Sequence, residues 1–447
     1  MSLTDLKSRI SGRLVLPADT DYDKLRQVIY GGIDKHPAAI ALVKTAADVA
    51  DAVNYARDHG LELAVRSGGH SIAGYSLSEG GLVIDMREMN KIELDVPART
   101  AWAEAGATAG QFTKAAEPHG LVVGFGDTGS VGLGGLVTGG GVGYLVRKLG
   151  LTIDSLLAAE VVTADGQLHK VDASNESDLF WAIRGGGGNF GVVTRMQFRL
   201  SELPAFTGGM MVLPATAETI DAFVAAAEAA PEEFSGIGNV MPAPPMPFLD
   251  ASLHGKPVIL SMLAWSGDPA QAEKVLAPFR ALKPLADMVK TSPYSAIFGE
   301  DDPDYHPTAI AKTLFVDGID GTTVMKHVDL PEPGFRVLQI RVLGGAHGRV
   351  APDATAYAHR NEKIMLNVAA FYDGPEDKPK RQAWVDTFSA ALKPRPTAYV
   401  NFLADEGPDR VRAAYPDATW DRLRQIKAKY DPQNLFRLNQ NIPPAAA

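Results

Sequence analysis

The segment Arg66-Ser67-Gly68-Gly69-His70-Ser71 closes an apolar strand, LELAV, with two glycines and a histidine. Adjacent glycines bare successive backbone N–H groups, and such a concavity nests an anion such as a pyrophosphate. His70 then stands at the rim of the nest. Taken alone, the segment also fits an ordinary strand-end turn carrying a surface histidine.

Two neighbouring patterns spell other chemistries and do not support them. Residues 124–129, GFGDTG, satisfy G-x-G-x-x-G after the apolar LVV. A dinucleotide site of that kind needs an amphipathic helix next and an acidic residue about 20 positions on. More glycines follow instead, so a nicotinamide-type site is rejected. Asp127-Thr128-Gly129-Ser130 matches the tetrad of aspartic proteases, whose chemistry needs two carboxylates sharing one proton. No second Asp-Thr-Gly or Asp-Ser-Gly occurs in the chain. The ten histidines form no H-E-x-x-H pairing and no G-x-S-x-G elbow is present, so neither a metal site nor acyl-transfer hydrolysis is expected.

The chain of 447 residues is long enough for two or three domains. Its net charge of −10, with no basic run, argues against nucleic acid and against an anionic membrane surface. No apolar stretch free of glycine reaches the length of a spanning helix. The first residues, MSLTDLKSRI, lack the apolar core of a signal peptide. With no cysteine, disulfides, thiolate catalysis and cysteine-ligated metal are excluded. A cytoplasmic bacterial enzyme is expected.

The elements that must position these residues alternate at first. AAIALVKT predicts a strand, Thr45 to His59 an amphipathic helix, LELAVRSGG a strand into a turn, and TAGQFTKAAEPHG a helix capped by Gly120. The run 132–143 interleaves Leu133, Leu136, Val137 and Val142 with glycine, which predicts a buried loop whose N–H groups need acceptors. Composition changes after Pro204. Strands are expected at MMVLP, VILSMLAW, FRVLQIRVLGG and KIMLNVAAFY, and helices at 217–230, 268–282 and 379–392. PAPPMPF at 242–248 reads as a loop, and DATWDRLRQIKAKY as a helix near the end.

RSGGHS, VGLGGLVTGGGVGYLVRKLGL, DLFWAIRGGGGNFGVVT and YDPQNLFRLNQNI stand in this order between about residues 37 and 443. Together they resemble the berberine-bridge-enzyme-like flavoproteins of the vanillyl-alcohol-oxidase fold family. That resemblance implies an α+β fold: a two-part, PCMH-type FAD-binding domain with an inserted substrate domain on an open, mainly antiparallel sheet backed by helices. The expected divisions are 1–204 for the FAD-binding domain, 205–398 for the substrate domain, and 399–447 for a segment returning to the first.

The resemblance also implies roles. His70 matches the histidine bonded to the 8α-methyl of the flavin, and Arg66, Ser67, Gly68, Gly69 and Ser71 match its phosphate-binding loop. Val131, Gly132, Gly134, Gly135, Gly139, Gly140 and Gly141 match the second loop against the cofactor. Gly191, Val192 and Val193 match the segment near adenine and ribitol, and Asn439 and Asn441 match the closing motif. Thr128 stands where many relatives carry a second, cysteinyl link, so a bicovalent flavin is impossible here. Leu136 stands where relatives often carry histidine. Val131 matches the position governing oxygen access, and a small valine resembles the oxidases.

The implied reaction is hydride transfer from an alcohol or amine carbon of a small organic substrate to flavin N5, with O2 as acceptor and H2O2 as product. Tyr399-Val400-Asn401 matches the Y-x-N segment whose tyrosine serves as base, and Tyr144 is a second candidate. Tyr399 equally fits a structural tyrosine packing its ring and hydrogen-bonding its hydroxyl. Arg341, Asn367 and Tyr372 lie on strands expected to roof the pocket, and His359-Arg360 lies outside the active site. A dehydrogenase or reductase of the same fold and a non-catalytic flavin carrier are the alternative readings. Substrate and oligomeric state are left open by the sequence.

Overall fold

A computed structural model describes residues 3–299, 302, 304–331 and 334–446. It is an α+β protein with a small sheet, a middle sheet and one broad sheet. The small sheet pairs Ala39–Leu42, Leu82–Asp85 and Leu63–Arg66 in parallel, with Arg13–Val15 antiparallel at one edge. Parallel strands need a crossover, and the helix Ala46–Asp58 supplies one. The Thr45 side chain caps it by accepting from the Asp48 N–H. Leu63–Arg66 delivers the RSGGHS turn at its carboxyl end.

The middle sheet is antiparallel, in the order Ile92–Asp95, Thr100–Glu104, Val192–Arg199, Leu156–Val162 and Leu168–Asp172. The helix Ala109–Ala116 carries a full capping box between Thr108 and Gln111 and ends beyond a short 3-10 turn at Gly120. The glycine run differs from expectation, because Leu133–Gly139 is an α-helix. Leu133, Leu136 and Val137 fall at helical spacing and are buried, so burial of one apolar face outweighs the cost of the glycines. The rejection of a dinucleotide site stands on topology: Leu121–Val122, before GFGDTG, pairs antiparallel with Ser201–Glu202, away from the parallel sheet.

The broad sheet is antiparallel throughout and is built from residues 207–371. Four of its eight strands add to the four expected: the long Phe234–Pro242 and Ala309–Val316, and the two-residue Ala286–Asp287 and Lys290–Thr291 at its edge. On one face Leu338, Ile340, Leu366 and Val368 join a core with residues of the helices Ala217–Ala229, Ala272–Arg280, Gly321–Val328 and Lys378–Ala391. Alternation along each strand turns Asn239, Gln339, Arg341 and Asn367 to the other face. A separate core joins the first two sheets to Tyr399, Val400, Leu423, Phe436 and Ile442 of the tail. Among the described residues no helix is long and apolar enough to cross a membrane.

Candidate active site

A cavity of about 450 Å³ opens between the turn after Leu63–Arg66, the helix Leu133–Gly139, the segment 187–193, the exposed face of the broad sheet and the tail. Ser67, Gly68, Gly69, His70 and Ser71 line it, with Thr128, Val131, Gly132, Gly134, Gly135 and Gly141. Gly191, Val192, Val193, Tyr399 and Asn439 also line it, together with Leu136, Arg341 and Asn367. Residues far apart in sequence therefore meet around one space.

The two glycine loops are locked together. The Ser67 hydroxyl donates to the Ala105 carbonyl at 2.5 Å and accepts from the Gly134 N–H at 3.3 Å. A Cβ on Gly132 would lie 2.1 Å from Ser67 Oγ and 2.2 Å from Gly68 N, so the approach of the loops requires glycine there.

Several predicted residues lie elsewhere. Arg66 is fully buried, its guanidinium paired with Asp85 and donating to the carbonyls of Leu25 and Gln27, so its charge braces the strand end and does not face the cavity. Gly139 and Gly140 make room for the tail instead. A Cβ on Gly139 would sit 1.9 Å from Asn401 Oδ1, and one on Gly140 would sit 3.1 Å from the Tyr399 ring. Tyr144 packs among aromatic side chains with Tyr294 and Phe298, and burial pushes its phenol far above the ordinary range. Asn441 also lies off the lining, with a buried Oδ1 that lacks a partner among the described residues. Tyr372 follows the strand Ile364–Phe371 and stays outside, whereas Arg341 and Asn367 line the cavity.

Tyr399 is almost wholly buried, with its hydroxyl held from two sides. The Gly141 N–H donates to it at 2.8 Å and the Asn401 amide at 3.2 Å. Asn401 is held in turn, donating to the Leu136 carbonyl at 3.0 Å. Burial raises the Tyr399 pKa most, while the two donors and the Arg341 charge oppose it; the net result is pushed up to about 12. Arg341 pairs with Asp127, donates to Gln339 Oε1, and lies over the Phe402 ring at 5.1 Å.

The tail is anchored by groups that motif matching did not single out. Asn189 donates to the carbonyls of Gly186 and Gln440 and accepts from the Ile442 N–H at 2.8 Å. Lys427, fully buried, donates to Asp431 at 2.6 Å and to the carbonyls of Asn189 and Phe436. Asp431 accepts from the N–H groups of Leu435 and Phe436. Its spacing from Leu423 and Ile426 marks Lys427 as a core-face position, a signal present in the sequence.

This wall suits FAD. Backbone lines the cavity along three glycine segments, and a Cβ on Gly135 or Gly188 would meet nothing within 4 Å. Asn439 Oδ1 is buried on the wall without a partner among the described residues, an acceptor awaiting a donor. A long cofactor with phosphates for N–H groups and N–H or hydroxyl donors for such acceptors matches both features.

Comparison with known proteins agrees. The model of the FAD binding domain family matches residues 37–172, and that of the berberine and berberine-like family matches residues 398–443. An uncharacterized FAD-linked oxidoreductase of Bacillus subtilis is 32% identical, covering 98% of each chain. The (R)-6-hydroxynicotine oxidase of Paenarthrobacter nicotinovorans is 30% identical over 97% of each. The crystal structure of 6-hydroxy-D-nicotine oxidase from Arthrobacter nicotinovorans superposes with a TM-score of 0.88 at 28% identity, covering 98% of each chain. BBE-like 1 of Physcomitrella patens shares the fold, with a TM-score of 0.89 at 22% identity over the full length of both. With its loops, its tail and its relatives in accord, the chain belongs to the berberine-bridge-enzyme-like FAD-linked oxidoreductases, enzymes of the PCMH-type FAD-binding fold.

Proposed function

We propose that this enzyme is an oxidase of alcohol or amine carbons in small organic molecules, with FAD bonded to His70 and O2 as acceptor. The observation that carries the reading is that Tyr399, its hydroxyl held by two donors, and His70 lie on the wall of one cavity. When bound, FAD supplies the two-electron acceptor that takes hydride from the substrate carbon, with H2O2 as the final product.

The chain's share is binding, orientation and proton transfer. The glycine loops at 67–71 and 132–135 offer N–H groups to phosphates, and Val192 and Val193 with Asn439 line the farther wall. His70 provides a ring nitrogen for an 8α-histidyl bond, and Thr128 cannot add a second link. Val131, a small side chain on the same wall, leaves space for O2.

Tyr399, once its phenol proton has been lost to solvent, accepts the substrate's O–H or N–H proton as the phenolate. Both of its hydrogen bonds are donated to its oxygen, so they stabilise the phenolate and leave the phenol proton free to turn towards the cavity. Residues 205–398 serve as the substrate domain, with 1–204 and 399–447 forming the cofactor part. The similarity to 6-hydroxynicotine oxidase over nearly the whole chain supports oxidase chemistry.

The test is peroxide release by the air-equilibrated holoenzyme over a panel of secondary alcohols, benzylic alcohols, sugars and cyclic amines. Equimolar peroxide and substrate consumption is expected for at least one class. Substrate oxidation that proceeds only with an artificial acceptor, without peroxide, would make the enzyme a dehydrogenase.

A further inference from the structure

On the cavity face of the broad sheet a polar row crosses the strands, with Asn239 opposite Gln339 and Gln339 opposite Asn367. The first two satisfy each other. Gln339 Nε2 donates to Asn239 Oδ1 at 3.1 Å, Asn239 Nδ2 donates to the Leu260 carbonyl at 3.1 Å, and Arg341 Nη2 donates to Gln339 Oε1 at 2.6 Å. Asn367 differs. It lines the cavity, yet its Oδ1 is buried with no partner among the described residues. Thr313, opposite it on the other side, turns its hydroxyl to the Leu366 carbonyl at 3.5 Å. Whichever end of the amide carries the oxygen, a buried polar group here lacks its hydrogen bond, a costly state that a ligand can relieve.

Charge narrows the ligand. Apart from His70 and the tyrosines Tyr30, Tyr75 and Tyr399, the ionisable side chains on the cavity wall are Asp127 and Arg341, and they pair with each other. Arg341 gives further donors to Gln339 and to the Val142 carbonyl. The N–H groups of the roof strands belong to the sheet ladder. An ionised group against this roof would be buried without a counter-charge. Ala311, Val400 and Phe402 supply the apolar remainder.

We infer that Asn367 is the specificity-determining residue of the cavity, selecting uncharged substrates that carry an amide or hydroxyl group on an apolar ring. This rests on the reading that substrate and cofactor share the cavity, but it needs neither the His70 bond nor O2 as acceptor. Benzamide and benzoate, nearly equal in shape and different in charge, are the probes. Isothermal titration calorimetry on the full-length, flavin-loaded protein at pH 7.5 is expected to give at least tenfold tighter binding of benzamide. Asn367→Leu is expected to weaken benzamide about tenfold, the effect of one buried hydrogen bond, and to leave benzoate unchanged. Asn367→Ala, which cannot overfill the roof, should do the same with unaltered flavin content. Benzoate binding as tightly as benzamide, no heat from benzamide, or unchanged benzamide affinity in both variants would overturn the inference. A wild-type enzyme without acid-stable flavin or without peroxide release would sink the proposed function while leaving this binding result intact.

Discussion

Tyr399 sits between opposing influences: burial resists its ionisation, and two donated hydrogen bonds favour it. Because its pKa is pushed up to about 12, the ionised fraction grows roughly tenfold per pH unit across the working range. The rate of substrate oxidation at limiting substrate should therefore climb from pH 6 to pH 10. Tyr399→Phe should lower kcat by about 10² to 10⁴ with flavin content retained, as expected when a positioned base is lost. Asn401→Ala removes one donor, so it should lower the rate at each pH and displace the rise to higher pH; an unchanged profile would show that the hydroxyl does not move the proton. The family resemblance of Tyr399-Val400-Asn401 drew attention to Tyr399, and the residue lines the cavity. The reason for Gly139 and Gly140 was not, because the group they accommodate, Tyr399 with Asn401, lies more than half the chain away. The position of Arg66 was hidden for a related reason: the resemblance assigned it to the phosphate loop, and only the parallel pairing of its strand reveals Asp85 alongside.

At the scale of elements, the segment carrying His347 and His359 packs behind Tyr399 through Tyr357, whose ring meets that of Tyr399 edge-on at 5.9 Å. His347 hydrogen-bonds Tyr357 at 3.2 Å and His359 the Ala414 carbonyl at 2.8 Å. Burial above all depresses both pKa values, to about 3 for His347 and about 4 for His359. In the unfolded chain each binds its proton near pH 6.5, so their contribution to stability is complete above that pH and is lost as pH falls towards the folded values. Between pH 6.5 and 4.5 each should remove roughly 2 to 3 kcal/mol. Urea titrations at the two pH values should show this fall, and His347→Gln should shrink it by about one histidine's share. The tail helix gives a second prediction. Lys427→Met would strand the fully buried Asp431 carboxylate, at a cost of about 3 to 5 kcal/mol, and loosen the wall at Asn439. Adding Asp431→Asn should restore part of the stability in the same titration. Helix periodicity located both this helix and Ala46–Asp58 closely, since each buries one apolar stripe. It failed at Leu133–Gly139, where glycine content outweighed a correct i, i+3, i+4 pattern in the reading.

At the scale of the molecule, the broad sheet separates two environments. One face packs aliphatic residues against helices, and the other presents Gln339, Arg341 and Asn367 to the cavity. The class of this architecture was legible because strands with helices on one side leave the other side for a ligand. Two long strands escaped notice, besides two edge strands of two residues each: FSGIGNVMP carries two glycines and an asparagine, and AIAKTLFV carries a lysine, so neither reads as an apolar run. Their pairing is set by neighbours in the sheet, information that a local window does not hold. The joining of the tail to the first core likewise depends on Asn189 and Lys427, contacts no motif records.

The central claim, a flavin bonded to His70, is tested most directly by precipitating the purified enzyme with acid and recording the flavin spectrum of pellet and supernatant. The account predicts flavin in the wild-type pellet, and in the supernatant for His70→Ala, whose protein should hold its cofactor weakly. Wild-type flavin released entirely into the supernatant, or His70→Ala retaining acid-stable flavin, would contradict it.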